Sequence, residues 1–384
     1  MTTIDLVYFN AGGGHRTAAQ ALRDVIAQQQ RPWQVRLVNL VEVLDRKDSF
    51  RRLTGMAPED LYNKRLAHGW TLGLSQELKL LQGMIRLAHP TLLRLLQQHW
   101  LQTEPDMVVS LVPNFNRVLF DSLATALPGV PYVTVLTDLA DHPPSFWVED
   151  GQLQDFVCGT RKAWGQARDA GHAPERVHLS SGMILRPDFY RPRRADREAE
   201  RERLGLQGPV GVVLFGGQGS SVMRQIERLL PETPLILMCG HNQALAAMLR
   251  KRKADAPRVV VEFTPDVAGW MQLADFFIGK PGPGSLSEAL QQGLPVIVVR
   301  NAWTMPQERY NTDWVQEQGV GVVLGRYRDI DSGVDRLMAR WPEFKARVAQ
   351  QHNRAVFELP DILAGILARQ TERVSPPESA ATPS

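Results

Sequence analysis

Short apolar, β-branched runs alternate with longer amphipathic stretches along most of the chain, a pattern that predicts parallel sheets with crossover helices. The runs at residues 4–9, 34–38, 107–111 and 132–136 read as strands of a first half, and those at 210–215, 235–238, 259–263, 276–278 and 296–299 as strands of a second. Each half opens with a strand that runs into glycines: Phe9 leads to Gly12-Gly13-Gly14, and Phe215 to Gly216-Gly217-Gln218-Gly219. Two such openings predict an α/β protein of two Rossmann-like domains. The first is placed at residues 1–185 and the second at 209–345, with 346–373 as C-terminal helices returning to the first domain. Between the domains, 186–208 is rich in proline and charge (Arg186-Pro187-Asp188, Arg191-Pro192-Arg193-Arg194), so it reads as a linker that anchors no core. Residues 374–384 hold three prolines and three serines and read as a disordered tail.

Composition narrows this picture. Hydrophobic residues make up 43% of the 384 and charged residues 22%, ordinary globular usage. A formal net charge of +3 is too small to be an electrostatic footprint for nucleic acid. Cys158 and Cys239 lie far apart without metal-ligand spacing, which fits a reducing compartment and argues against zinc. The cytoplasm is the default, because the N-terminus lacks the basic and apolar segments of a signal peptide. No apolar run approaches the roughly 20 residues of a spanning helix, so any membrane contact is expected to be peripheral, on the cytoplasmic face. Residues 46–100 carry nine basic and four acidic side chains together with Trp70, Met84, Leu92, Leu93 and Trp100, a composition suited to an anionic membrane surface or to a solvated amphipathic face.

Four motifs could carry chemistry. Gly12-Gly13-Gly14-His15 sits between a strand and a helix, where exposed amides favour anionic or polar ligand groups; it is neither a Walker loop nor a dinucleotide fingerprint, and a plain connecting turn would look the same. The stretch from Gly279 to Leu290 brings prolines and glycines to a helix that Ser285 could cap, with Glu288 in its first turn. Amides and the Ser285 hydroxyl suit a diphosphate and the Glu288 carboxylate a pair of sugar hydroxyls, although Ser285 and Glu288 also have capping-box spacing. Gln307 and Glu308 follow the next strand and pair a donor with an acceptor for hexose hydroxyls. Asp138 follows the strand at 132–136, where a carboxylate could act as general base with a histidine near it, or simply cap a turn.

With Gly-Gly-Gly-His15, Thr137-Asp138-Leu139, Gly216-Gly217-Gln218-Gly219, Met238-Cys239-Gly240-His241-Asn242, the 280–290 loop and Gln307-Glu308-Arg309-Tyr310-Asn311, the chain resembles the monogalactosyldiacylglycerol synthase and processive diacylglycerol glucosyltransferase group. More distantly it is similar to the peptidoglycan lipid-intermediate N-acetylglucosaminyltransferase. The resemblance implies a GT-B fold and an inverting transfer of a hexose from UDP-galactose or UDP-glucose to a lipid hydroxyl such as that of diacylglycerol, with no bound metal and no cofactor. It also implies roles. Phe263 would cap the uracil, Ser285 meet the diphosphate, Glu288 the ribose, and Gln307 with Glu308 the sugar, with Gly217, Ser220 and Gly284 on the same donor side. Gly13, Gly14 and His142 would line the acceptor side, and Asp138 and His15 would be the catalytic pair. A UDP-sugar epimerase and a non-catalytic sugar-nucleotide or lipid-binding protein are the competing readings.

Overall fold

The computed structural model describes residues 1–10, 14–45 and 74–374. In the first half the strands are β1 (Thr2–Tyr8), β2 (Trp33–Asn39), β3 (Met107–Ser110), β4 (Tyr132–Val135), β5 (Asp155–Cys158) and β6 (Val177–Leu179). In the second they are β7 (Gly211–Leu214), β8 (Leu235–Gly240), β9 (Arg258–Glu262), β10 (Phe276–Gly279), β11 (Val296–Val299) and β12 (Gly321–Leu324). They form two six-stranded sheets, ordered β2-β1-β3-β4-β5-β6 and β12-β11-β10-β7-β8-β9, and every pair is parallel. Helices cover both faces, so β3, β4, β5, β7, β10 and β11 are buried along their whole length. The predicted α/β class and the paired Rossmann-like sheets are what the structure contains. Strands β5, β6 and β12 were not legible: each has three or four residues and is fixed by pairing with a neighbour rather than by any pattern of its own.

The segment 186–208 differs from the expectation that it anchors no core. Phe189 and Leu206 are buried in the core of the second domain, and 197–203 is helical. Its charges are used rather than solvated: Arg197 Nη2 and Arg201 Nη1 donate to Asp275 Oδ1 and Oδ2 at 2.8 and 2.9 Å. The chain crosses between the domains a second time near 351–354. Phe344 and Val348 still belong to the second core, whereas Ala355, Leu359, Leu363 and Ile366 of the helix Ala355–Val374 pack on the first sheet. The two crossings are bonded to each other: Asn353 Nδ2 donates to the Met183 carbonyl at 2.9 Å, and the Arg354 amide to Ser181 Oγ at 2.7 Å. Residues 375–384, where a disordered tail is expected, lie outside the described residues, as does 46–73.

Replacing Asp275 by Ala leaves two mostly buried guanidinium groups without their carboxylate, so the variant should lose roughly 2 to 4 kcal/mol of stability. Urea melts of the full chain, compared with the wild type, measure this; an unchanged midpoint would mean that the charged segment is held by Phe189 and Leu206 alone.

Candidate active site between the two sheets

In an open parallel sheet the place for a ligand is beyond the carboxyl ends of the strands where the strand order reverses. Those points are β1/β3 in the first sheet and β7/β10 in the second, and the predicted glycine motifs follow β1, β7 and β10. After β7, residues 216–219 fold onto the end of β8. Gly240 has φ 58°, and a Cβ there would stand 2.2 Å from the Gly217 carbonyl, so only glycine permits this approach. The His241 amide then donates to that carbonyl at 2.9 Å, and its ring stacks on Phe263 with centroids 4.1 Å apart. Phe263 remains 61% exposed, an aromatic face available to a flat ligand.

After β10, Pro281 is tied down by Asn311 Nδ2, which donates to its carbonyl at 2.7 Å, and the helix Pro283–Gln291 starts from Gly282 as its N-cap. Here the structure corrects the sequence reading. Ser285 is not the cap but the third helical residue, its Oγ donating to the Gly282 carbonyl at 3.3 Å, and Glu288 lies in the second turn. Proline at the first helical position supplies the initiation assigned to the capping box. A Cβ on Gly282 would lie 3.3 Å from both Lys280 Cε and Ser285 Oγ and 3.5 Å from Glu308 Oε1, so these three side chains converge on one point. Lys280 Nζ donates to Glu308 Oε1 at 2.8 Å, and Glu308 is buried. Gln307, in the turn Pro306–Glu308, is half-buried and contacts Met305 Sδ. Ser220, half-buried, accepts from the Val222 amide at the start of the helix Val222–Leu229. Among the described residues, apart from chain neighbours and the backbone of the same helix, no atom comes within 4 Å of a Cβ built on Gly14, Gly217 or Gly284, so packing against those residues does not demand glycine at these three places. Gly13 lies outside the described residues.

On the first domain, Asp138 follows β4 and is buried, with Trp147 Nε1 donating to its Oδ2 at 2.9 Å. Burial pushes its carboxyl up to about 7, the nearby Glu308 and Asp141 adding to the rise and the Trp147 hydrogen bond and Lys280 opposing it. That list of neighbours joins the two domains, since Asp138 is electrostatically coupled to the Lys280–Glu308 pair. His15 stands beside it: Nδ1 is 3.0 Å from Thr137 Oγ1, and its ring centroid is 6.0 Å from that of Trp147. Burial lowers the imidazole to about 4, so it is neutral at pH 7. Glu288 is only half-buried by area, yet crowding of protein around it pushes its carboxyl up to about 7 against the pull of Arg186. His142 is half-buried, and the hydrogen bonds of its loop run through Asp141, which accepts from the Ser145, Phe146 and Trp147 amides at 3.1, 3.0 and 2.6 Å. The structure therefore gathers Asp138, His15, Ser285 and Glu308 and sets Glu288 and Phe263 apart on the second domain. Sequence reasoning gave no role to Trp147, Lys280, Asp141 or Arg186; Lys280 stood inside a quoted motif, but nothing along the chain joins Trp147 to Asp138. Among the described residues, no cluster of three His, Cys, Asp or Glu side chains could hold a metal ion, and no helix is long and apolar enough to cross a membrane.

Residues 212–355 match the glycosyltransferase family 28 C-terminal domain. The chain is 29% identical over 252 residues to the probable monogalactosyldiacylglycerol synthase 2, chloroplastic, of Oryza sativa subsp. japonica, covering 62% of this chain and 52% of that protein. It is 26% identical over 353 residues to the monogalactosyldiacylglycerol synthase 1, chloroplastic, of Arabidopsis thaliana, covering 86% and 63%. The match thus spans about half to two thirds of these relatives' length. Among solved structures, MurG of Acinetobacter baumannii superposes with a TM-score of 0.58 at 15% identity, covering 95% of this chain and all of that one. Os79 of O. sativa, solved in complex with UDP, does so with 0.60 at 13%, covering 96% and all of that chain. At these identities the likeness is one of fold, and the fold is GT-B.

Because Asp138 and Glu288 hold protons in the native state up to about 7 against ordinary values of 3.8 and 4.5, their stabilising protonated forms are fully present below the ordinary values and lost as pH rises through about 7. Asp138→Asn and Glu288→Gln should each raise the unfolding free energy near pH 8 by an amount on the order of 1 to 3 kcal/mol, and with it the melting temperature, and change both little near pH 4. Melting curves across this range check the sign. His15 works in the opposite direction, its contribution being lost as pH falls from 6.5 towards 4.

Proposed function

We propose that the protein, whose residues 212–355 match the glycosyltransferase family 28 C-terminal domain and which is similar to monogalactosyldiacylglycerol synthases, transfers a hexose from UDP-galactose or UDP-glucose to a lipid hydroxyl, with diacylglycerol as the acceptor. The observation that carries this reading is the electrostatic reach between Asp138, just after β4 of the first sheet, and the Lys280–Glu308 pair, after β10 and β11 of the second, all beyond the carboxyl ends of strands. Asp138, with its carboxyl near 7, is matched to neutral pH as a general base, whereas His15 near 4 is a weaker one. In this reading Asp138 takes the proton of the acceptor hydroxyl, and its oxygen attacks C1 of the hexose in line. The C1–O bond to the diphosphate breaks with its electrons passing to UDP. The amides at the start of the helix Pro283–Gln291 and the Lys280 ammonium offset the charge that develops there. Glu288 is assigned to the ribose, Phe263 to the uracil, and Gln307 with Glu308 to the sugar hydroxyls. Gly217, Ser220 and Gly284 line the donor path, and Gly14 and His142 the acceptor side. No metal is assigned to the site.

A lipid acceptor must be collected from a bilayer. The helix Leu74–Thr103 supports this, because Leu80, Leu81, Met84 and Leu87 are 64, 38, 51 and 85% exposed and share one face. The half-buried Gln82 and His89 lie on the other. An ordinary surface helix places its apolar stripe inward. The other basic side chains of 46–100, Arg46, Arg51, Arg52, Lys64 and Arg65 among them, belong in part to 46–73, outside the described residues.

The direct test is the full chain incubated with diacylglycerol vesicles and each labelled UDP-sugar, with product identified by chromatography. Glycosylated lipid is expected; conversion of the UDP-sugar with no acceptor consumed would instead mean an epimerase. Asp138→Asn should lower turnover by about 10²- to 10⁴-fold with UDP affinity nearly intact. Wild-type kcat/KM should rise with pH through about 7 as the base ionises. If the variant turns over normally, the base is His15. Glu288→Ala should weaken UDP binding by about 2 to 3 kcal/mol in calorimetry, the scale of a charge-assisted hydrogen bond.

Liposome flotation tests the membrane contact. Met84→Ser with Leu87→Ser should release the protein from phosphatidylglycerol-containing vesicles, each lost apolar side chain removing about 1 kcal/mol or more of burial. Flotation unchanged by both substitutions would exclude this face.

A further inference from the structure

The helix that bears the exposed apolar face also touches the loop that holds Asp138. On its inward side, Gln82 Nε2 donates to Asn114 Oδ1 at 3.0 Å and makes a longer contact of 3.4 Å with the Ser145 carbonyl. About two turns further along the same face, His89 Nε2 meets Asp121 Oδ2 at 3.1 Å. The two residues that Gln82 engages are unusual. Asn114 and Ser145 have φ of 66° and 61°, the left-handed region that few residues other than glycine adopt, asparagine more readily than serine. They are also joined to one loop, since the Asn114 amide donates to the Phe146 carbonyl at 2.7 Å. Asp141 closes that loop through the amides of 145, 146 and 147, and Trp147 at its end donates to Asp138. A continuous run of contacts therefore leads from the helix through Gln82, Ser145, Phe146 and Trp147 to the Asp138 carboxylate.

Resting on the membrane-acceptor reading above, we propose that this run couples bilayer contact to catalysis, with Gln82 as a positioning residue. Free in water, a helix with Leu80, Met84 and Leu87 exposed has no apolar partner pressing on that face among the described residues. Docked on a bilayer, it is held from outside, and Gln82 then fixes the two left-handed residues and so the Trp147 donor. The carboxylate is aimed at an acceptor hydroxyl only when lipid is at hand, which limits discharge of the UDP-sugar to water. Coupling of this kind needs an element whose equilibrium both ends bias; here that element is the 141–147 loop.

Two readouts on the full chain test it, and the first does not depend on activity. Hydrogen exchange at the amides of Ser145, Phe146 and Trp147 should slow by about tenfold when phosphatidylglycerol and phosphatidylcholine vesicles are added, a size typical of coupling between sites. In Gln82→Ala the slowing should vanish while flotation stays as in the wild type, because Gln82 is not on the apolar face. Gln82→Glu, which keeps the shape but cannot donate to the Ser145 carbonyl when ionised, should behave like Gln82→Ala. The second readout is turnover on vesicle-borne diacylglycerol: in both variants kcat should fall by about tenfold with KM for the UDP-sugar unchanged. Wild-type exchange that ignores vesicles, or Gln82→Ala exchange that slows as in the wild type, overturns the coupling even if glycosyl transfer is demonstrated. Absence of any glycosyl product, with the exchange results as expected, would instead overturn the assigned reaction and leave the coupling standing.

Discussion

Parallel strand pairing is the constraint from which the rest follows. Each strand must be followed by a crossover that brings the chain back to the same end, so the sheet is buried on both faces and has no lateral surface for chemistry. Polar and ionisable groups are confined to the strand ends, and at the β1/β3 and β7/β10 reversals the flanking crossovers diverge and leave a gap. Two sheets of this kind, bonded at their crossings by Asn353 and Arg354, present their loops towards a common space. Thr137, Asp138, Lys280, Ser285 and Glu308 are all residues of those loops or of the turns beside them.

Within that space the dominant physical effect is desolvation. Asp138 and Glu288 rise to about 7 and His15 falls to about 4 for the same reason, because burial disfavours whichever form carries charge. The consequence is selective. The carboxylates become groups able to exchange a proton near neutrality, and the imidazole becomes a neutral donor or acceptor beside Thr137. Lys280 stays paired with Glu308 and reaches Asp138 electrostatically, so the one cation serves two acids on opposite domains.

The helix Leu74–Thr103 shows how the surroundings decide which side of a helix is buried. The sequence reading of 46–100 left open an anionic membrane surface and a solvated amphipathic face. In the structure the loops after β3 and β4 and the helix Asn116–Ala126 take the polar side through Gln82 and His89 and leave Leu80, Leu81 and Leu87 exposed, while the same helix turns its apolar side inward further along, at Leu96 and Trp100. The two orientations along one helix are decided by what lies against it.

Along the chain, strand runs, glycine turns and loop motifs announced the fold class and the loops that follow the strands, because these depend on local backbone requirements: β-branched runs for buried strands, glycine where β8 meets the 216–219 loop, proline at the start of a helix. The short strands β5, β6 and β12 and the helix in 197–203 carried no such signal, since their stability comes from neighbours remote in sequence. The Ser285–Glu288 spacing pointed to a cap that Pro283 made unnecessary. Only the tertiary structure put Trp147 on Asp138, Lys280 between Glu308 and Asp138, and Gln82 against Ser145, because hydrogen bonds and charges act across space with no record in the order of residues. What the sequence by itself determined was which groups are present and which turns hold them; their ionisation and aim were decided by the burial that two folded domains impose together.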